Sequence, residues 1–267
     1  MGGMDRLRIA DLGTVLSVWA HPDDETYLAG GLMAAAAANG QRVVCVALTA
    51  GEHGTDDPAT WPPERLGAVR RLEADAAMAV LGVREHRIVG MPDGGLAGWG
   101  PVGARLVAQV IDEVRPDTVV TFGPDGTTFH PDHVAVHRWV RHAWEESGRG
   151  FRLLEAAWTT EALERFADLH DEFRVFMTDG RPAGVPAEAL SVRVALDGPE
   201  LDRKVAALRA MASQIGPTVD AFGLARFTDW VAEERFVDVA VTADEPAMAS
   251  ASAGSEAPAE PELAAVG

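Results

Sequence analysis

An α/β fold, a doubly wound and mostly parallel sheet with helices on both faces in a single domain, is predicted by three features of the sequence. Short apolar, β-branched runs alternate with longer segments of helical period through the first 160 residues, the order expected of βαβ units. The apolar runs are continuous rather than alternating, as strands buried on both faces require. Glycine or proline punctuates the passages between them. With 267 residues, 47% of them hydrophobic, the chain can bury one sizeable core.

The elements follow in order. Residues 14–20 read as a strand and residues 24–39 as a helix stopped by Gly40. Residues 42–49 form a second strand. Pro62 and Pro63 open a helix that runs to Leu81 and ends at Gly82. Residues 86–90 are a short strand, 102–114 a helix that stops before Pro116, and 117–122 a fourth strand. Pro131 begins a helix to about Glu146, and residues 153–159 read as a fifth strand. This is a Rossmann-like arrangement. Beyond His170 the pattern is less regular: a strand at 192–196, a helix at 199–213 and a closing strand at 236–241, read as an elaboration of the same domain. The domain is expected to span residues 1–241. Residues 242–267 hold nine Ala, three Pro, five acidic and no basic residues, and are expected to form a disordered tail.

Charge and composition exclude several functions. Lys and Arg total 23 against 41 Asp and Glu, a formal charge of −18. Such a surface repels phosphate backbones and anionic membranes, so neither nucleic acid nor a membrane is expected as a partner. The single cysteine, Cys45, rules out an intrachain disulfide and a Cys-rich zinc ribbon. The single lysine, Lys204, does not follow a glycine-rich loop, which excludes a P-loop. No segment reaches the roughly 18 apolar residues of a membrane span, and no leader is visible at the N-terminus, so a cytoplasmic protein is expected.

The chemistry gathers at two places. The first strand runs directly into His21-Pro22-Asp23-Asp24-Glu25, and His130-Pro131-Asp132-His133 begins eight residues after Phe122. Both lie beyond the carboxyl ends of parallel strands, where open α/β sheets bind ligands. In the strand order 3-2-1-4-5 the first and fourth strands are neighbours, so the clusters face each other across one crevice. Two imidazoles and a carboxylate make a catalytic zinc set with water in the fourth position. Asp23 and Asp24 are adjacent, so one can ligate while the other stays free as a base; either could instead simply cap the helix. A metal-bound water near neutral pKa, a free carboxylate and a second His would together hydrolyse a carbonyl substrate. Among the other histidines, His53 stands in a strand-end loop, while His86, His137, His142 and His170 read as structural or solvated.

These two motifs together resemble the PIG-L, or LmbE-like, family of zinc-dependent N-deacetylases. That family includes N-acetylglucosaminyl-phosphatidylinositol de-N-acetylases, mycothiol-pathway deacetylases and amidases, and deacetylases of sugar-bearing antibiotics. The resemblance covers roughly residues 14–213. It implies His21, Asp24 and His133 as ligands of Zn²⁺ and Asp23 as general base. It also implies His130, oriented by Asp132, as the group that stabilises the tetrahedral intermediate. Weaker matches at Glu52, Arg70 and Asp93 imply contacts to a substrate sugar, although Arg70 could instead form a salt bridge near Glu73 and Asp93 could merely make the turn before Gly94. One departure is Met211, which stands where many relatives carry a His. The implied activity is removal of an acyl group, most simply acetyl, from an amino sugar or a small molecule bearing one, with a larger natural-product or thiol–sugar conjugate or a non-catalytic metal-binding relative as alternatives. A dinucleotide enzyme would need Gly-x-Gly-x-x-Gly after the first strand, and a serine hydrolase a Gly-x-Ser-x-Gly elbow; neither is present.

Overall fold

The computed structural model describes residues 8–243. The expected tail therefore lies almost wholly outside the described residues. In chain order the main elements are β1 (Val15–Trp19), α1 (Asp24–Ala38), β2 (Val43–Thr49), α2 (Pro63–Leu81), β3 (Glu85–Met91), α3 (Gly100–Val114), β4 (Thr118–Phe122), α4 (Pro131–Glu146) and β5 (Arg152–Ala156). Each falls within one to three residues of its expected bounds. Two short helices follow the fifth strand, α5 (Thr160–Arg165) and α6 (Ala167–Glu172), and then β6 (Val192–Ala195) and α7 (Gly198–Ala210). The described chain ends with α8 (Ala212–Phe222), α9 (Leu224–Trp230), β7 (Glu233–Asp238) and α10 (Val239–Ala243).

Seven strands form one sheet in the order β3-β2-β1-β4-β5-β7-β6. The first five pair in parallel; β7 runs antiparallel to both β5 and β6. The order reverses between β1 and β4, so a crevice opens at their carboxyl ends. Helices α1, α2 and α7 pack together over the sheet, and α3 packs on α4. Strands β1, β2 and β4 are buried along their whole length, which is why they read as unbroken apolar runs. Trp19 and Phe122 meet edge to face at 4.8 Å between ring centres directly beneath the crevice, a rigid floor for what stands above it.

Two expectations are corrected. The helix at 199–213 is two helices, because Met211, 1% exposed, turns into the core between them. The closing strand begins earlier, at Glu233, and gives way at Val239 to α10, which runs through Thr242 to Ala243. The domain boundary expected at 241 therefore falls inside a helix.

Candidate active site

The turn from β1 into α1 sets the geometry. Asp23 has φ = 119°, a conformation L-residues rarely adopt and one that costs of order 1–3 kcal/mol. Its surroundings hold it there. The buried Glu25 carboxyl accepts the Asp23 N–H at 3.1 Å, and the Asp23 carbonyl accepts the N–H groups of Thr26 and Tyr27 at 3.0 and 2.9 Å. Neither aspartate side chain caps α1 in the ordinary way. The two carboxylates point apart instead. Asp24 accepts the His21 N–H at 2.8 Å and lies beside both imidazoles. Asp23 turns to Arg70, whose Nη2 is 3.2 Å from its Oδ2.

Three donors converge around Asp24. His21 Nδ1 and His133 Nε2 are 3.2 Å apart, His21 Nδ1 is 3.4 Å from Asp24 Oδ2, and His133 Nε2 is 3.3 Å from Asp24 Oδ1. Four ligands at zinc bond lengths on a tetrahedron sit about 3.3–3.4 Å apart, so this spacing fits a small divalent ion. The second shell agrees. His133 Nδ1 faces the Gly126 carbonyl at 2.9 Å, so that nitrogen carries the proton and Nε2 offers its lone pair. Gly126 permits this approach, since a Cβ there would lie 2.7 Å from that of His133. Two other triads, His21/His130/His133 and His21/Asp93/Asp132, also bring donor atoms within 4.8 Å of one another; His21 is common to all three sets. Its Nε2 is buried without a hydrogen bond of good geometry, although Asp93 Oδ1 stands 3.0 Å and Asp132 Oδ2 3.5 Å away.

Burial works against every charge here, and neighbours decide the outcome. Burial raises the Asp23 carboxyl to about 6 against the pull of Arg70, with the Asp24 charge adding to the rise. Burial also pushes Asp24 upward, but His133 and His21 outweigh it and hold Asp24 at about 2. Burial lowers His133 to about 4. The carboxylates of Asp132, Asp24 and Asp93 overcome burial at His21 and raise it well above the usual imidazole value. Burial, then the charge on Asp23, raises Glu25 to about 8, so it adds no third negative charge beside the aspartates at neutral pH. One carboxylate is thus firmly anionic among imidazoles and its neighbour is poised close to neutrality, the separation that acid–base chemistry uses.

The remaining expected residues fall close by, with altered tasks. Arg70 was expected to reach a substrate hydroxyl, yet it is 4% exposed. Its guanidinium is taken by Asp23, by the Pro22 carbonyl and by the Gly51 carbonyl at 2.8 Å. Gly51, at φ = 63°, leaves the room; a Cβ there would lie 2.3 Å from Arg70 Nη1. Asp93 stands on the crevice wall and accepts the His53 N–H at 2.8 Å, so it does more than make a turn. Glu52 accepts the Asp93 N–H at 3.0 Å and so supports the wall from behind. Asp132 holds His130, but not through its carboxylate, which accepts the N–H groups of Gly94 and Leu96 at 2.8 and 2.9 Å. It is the backbone N–H of Asp132 that donates to His130 Nδ1, at 3.1 Å. His130 caps α4, and its proton is left on Nε2. Of the other histidines, His53 lines the cleft, His137 pairs with Glu155 at 3.0 Å, and His170 lies among aromatic rings.

A polar cleft of about 770 Å³ opens over the cluster, lined among others by His53, Trp61, Arg70, Asp93, His130 and Gln214. Trp61 carried no signal in the sequence, whereas Gln214 closes the stretch in which Met211 stands where many relatives carry a His. Gln214 is placed by its neighbour Ser213, whose N–H and hydroxyl donate to Glu73 on α2 at 2.8 and 2.6 Å.

The family model for the GlcNAc-PI de-N-acetylases, PIG-L, matches residues 16–144. A 1D-myo-inositol 2-acetamido-2-deoxy-alpha-D-glucopyranoside deacetylase of Saccharomonospora viridis is 36% identical over 238 residues, covering 79% of this chain and 88% of the relative. The chain belongs to the PIG-L family. A deacetylase of the same name from Nocardiopsis dassonvillei is 35% identical, over 78% of this chain and 87% of its own. Among solved structures, the N,N'-diacetylchitobiose deacetylase of Pyrococcus horikoshii superposes with a TM-score of 0.62 at 19% identity, covering 90% of this chain and 89% of that one. A conserved protein of Thermus thermophilus gives 0.55 at 27%, covering 84% and 94%. The enzyme class of this PIG-L chain is hydrolytic N-deacetylation. Among its described residues no helix is long and apolar enough to cross a membrane.

Proposed function

We propose that this PIG-L protein is a zinc-dependent amide hydrolase that removes an N-acyl group from an amino sugar or from a small molecule bearing one. The observation that carries the reading is the set of three donors 3.2–3.4 Å apart beside a second carboxylate that faces away from it. His21, Asp24 and His133 would hold the ion, which when bound acidifies water and polarises the amide carbonyl. Two nitrogen ligands and one carboxylate, with a position left open, favour zinc.

The rest belongs to the chain. Asp23, raised to about 6, is the base that takes the proton of the attacking water and delivers it to the leaving amine. Arg70 and the strained turn aim that carboxylate. His130 carries its proton on Nε2 and donates it as a hydrogen bond to the oxygen that becomes negative as the carbonyl is attacked; the Asp132 backbone holds the ring. Asp93 presents a carboxylate to sugar hydroxyls, with Glu52 behind it. The acidic charge of the chain weighs against nucleic-acid and anionic-membrane partners, and the cytoplasm is the location we propose.

The test is release of primary amine from N-acetylglucosamine and its glycosides by zinc-reconstituted protein. Amine and acetate should appear in equal amounts, cease with a chelator and return with zinc. A zinc-loaded, folded protein that releases amine from none of a broad panel of N-acyl amino sugars overturns the reading.

A further inference from the structure

A second cavity adjoins the cluster beside the polar cleft. It has a volume of about 300 Å³, and Asp23, Asp24, Thr128 and His133 line both spaces. The two cavities therefore meet at the reacting groups. Their walls differ in kind. The cleft offers carboxylates, imidazoles and the Gln214 amide; the second cavity is faced by Tyr27, Trp158, Phe173, Phe222, Trp230 and Val231. Apart from the two aspartates, its wall carries three charged residues; Arg235 faces Glu233 at 2.7 Å although its Nε makes no hydrogen bond of good geometry, and the two glutamates are paired. Glu234 accepts from Lys204 and from the N–H groups of Gly31 and Leu32 at 2.6–2.8 Å, and Glu233 binds Arg193 at 2.7 Å. Trp158 is fixed by its Nε1–H, which donates to the Thr127 carbonyl at 2.9 Å.

An amide whose sugar occupies the polar cleft must point its acyl group across the junction. A methyl group takes about the volume of one water, roughly 30 Å³. An acetyl methyl would fill about a tenth of the aromatic cavity and leave the remainder as apolar surface with no partner. We propose that the aromatic cavity is an acyl subsite, and that the enzyme hydrolyses amino-sugar amides with linear acyl tails well beyond acetyl, of roughly six to eight carbons on the same volume arithmetic. The inference rests on the amide-hydrolase reading above and names its acyl class. The reaction is unchanged in balance: the water oxygen bonds to the acyl carbon, the C–N bond breaks, the amine leaves with a proton, and the tail departs as a carboxylate. Each methylene that enters the cavity strengthens binding by up to about fourfold.

The experiment is a chain-length series of N-acyl glucosamines, acetyl, butanoyl, hexanoyl and octanoyl, assayed for amine release by the zinc-reconstituted full chain. The inference expects kcat/KM for octanoyl to equal or exceed that for acetyl. Two filling variants, Ala157→Phe and Thr218→Phe, approach the cavity from different segments. Each that folds should lower the octanoyl-to-acetyl ratio of kcat/KM at least tenfold. Acetyl turnover with a lower value for octanoyl overturns the acyl subsite and leaves the hydrolase reading intact, as does an unchanged ratio in a folded filling variant. No amine from any member of the series overturns both.

Discussion

Lys204 and Glu234 form a closed ion pair behind α1: both are fully buried, 2.7 Å apart, and the remaining carboxylate oxygen is taken by the Leu32 N–H. The cluster at the ends of β1 and β4 is less deeply buried, with Asp23 and His130 only half-buried, and it is left open. There the carboxylates of Asp23, Asp24, Asp93 and Asp132 and three imidazoles share space with a single guanidinium, His21 Nε2 lacks a good hydrogen bond, and the backbone at Asp23 is strained. A satisfied pair holds helices to a sheet; an imbalanced cluster is what a cation, a proton and a substrate can complete. The contrast separates positions whose loss removes chemistry from those whose loss removes stability.

The largest effect should come from Asp24→Ala, which breaks the open cluster at its centre. Bound zinc, measured by elemental analysis, should be lost, and turnover should fall roughly a thousandfold or more with it. Asp23→Asn sharpens the division between the adjacent carboxylates. This variant should keep its fold and its zinc while kcat falls about 10²–10⁴-fold. Zinc loss with Asp23→Asn, or wild-type turnover, would exchange or dissolve the two roles.

The closed pair should answer differently. Lys204→Met leaves Glu234 buried without its cation, which costs about 3–5 kcal/mol, seen as a lower urea midpoint. Adding Glu234→Gln should recover most of that loss. Turnover per folded molecule should be little changed by Lys204→Met. The smallest effect concerns His170, which burial lowers to about 4. Trp158 and Phe176 face it at 5.0 Å and Trp230 at 6.3 Å, while Arg181 opposes its protonation and Asp171 and Asp168 favour it. A folded-state value below the unfolded one of about 6.5 means that the unfolded chain takes up the proton first. Stability is therefore full above about pH 6.5 and falls as pH drops toward 4. His170→Phe should remove about 1 kcal/mol of that acid loss, after allowance for solvent screening, measured by urea unfolding at pH 7 and pH 5.

Much of the first 160 residues was legible because its signals are local. Residues 43–49 are apolar because that strand is buried on both faces, and Gly82 at φ = 80° ends α2 where its sequence position says it should. The later segment lacked such punctuation. Met211 is a good helix former, yet it breaks a helix because burying it in the core outweighs one continuous run of backbone hydrogen bonds. The short helices α5, α6 and α9 carry too few turns for a readable period. The antiparallel pairing of β7 depends on which strand edges are vacant, and no single strand records that.

By itself the sequence determined the strand–helix alternation and the presence of both His-Pro-Asp motifs at the ends of the first and fourth strands. Those are consequences of hydrophobic period and proline geometry within a few residues. Only the tertiary structure decided what each side chain does there. It pairs Arg70 with Asp23, and it orients His130 through the Asp132 backbone. It also assembles an aromatic cavity from Tyr27, Trp158, Phe222 and Trp230, residues brought together from α1, the end of β5, α8 and α9. The reason is physical: hydrogen-bond partners and cavity walls are set by contacts between segments far apart in the chain, and those exist only once the sheet has closed on its helices.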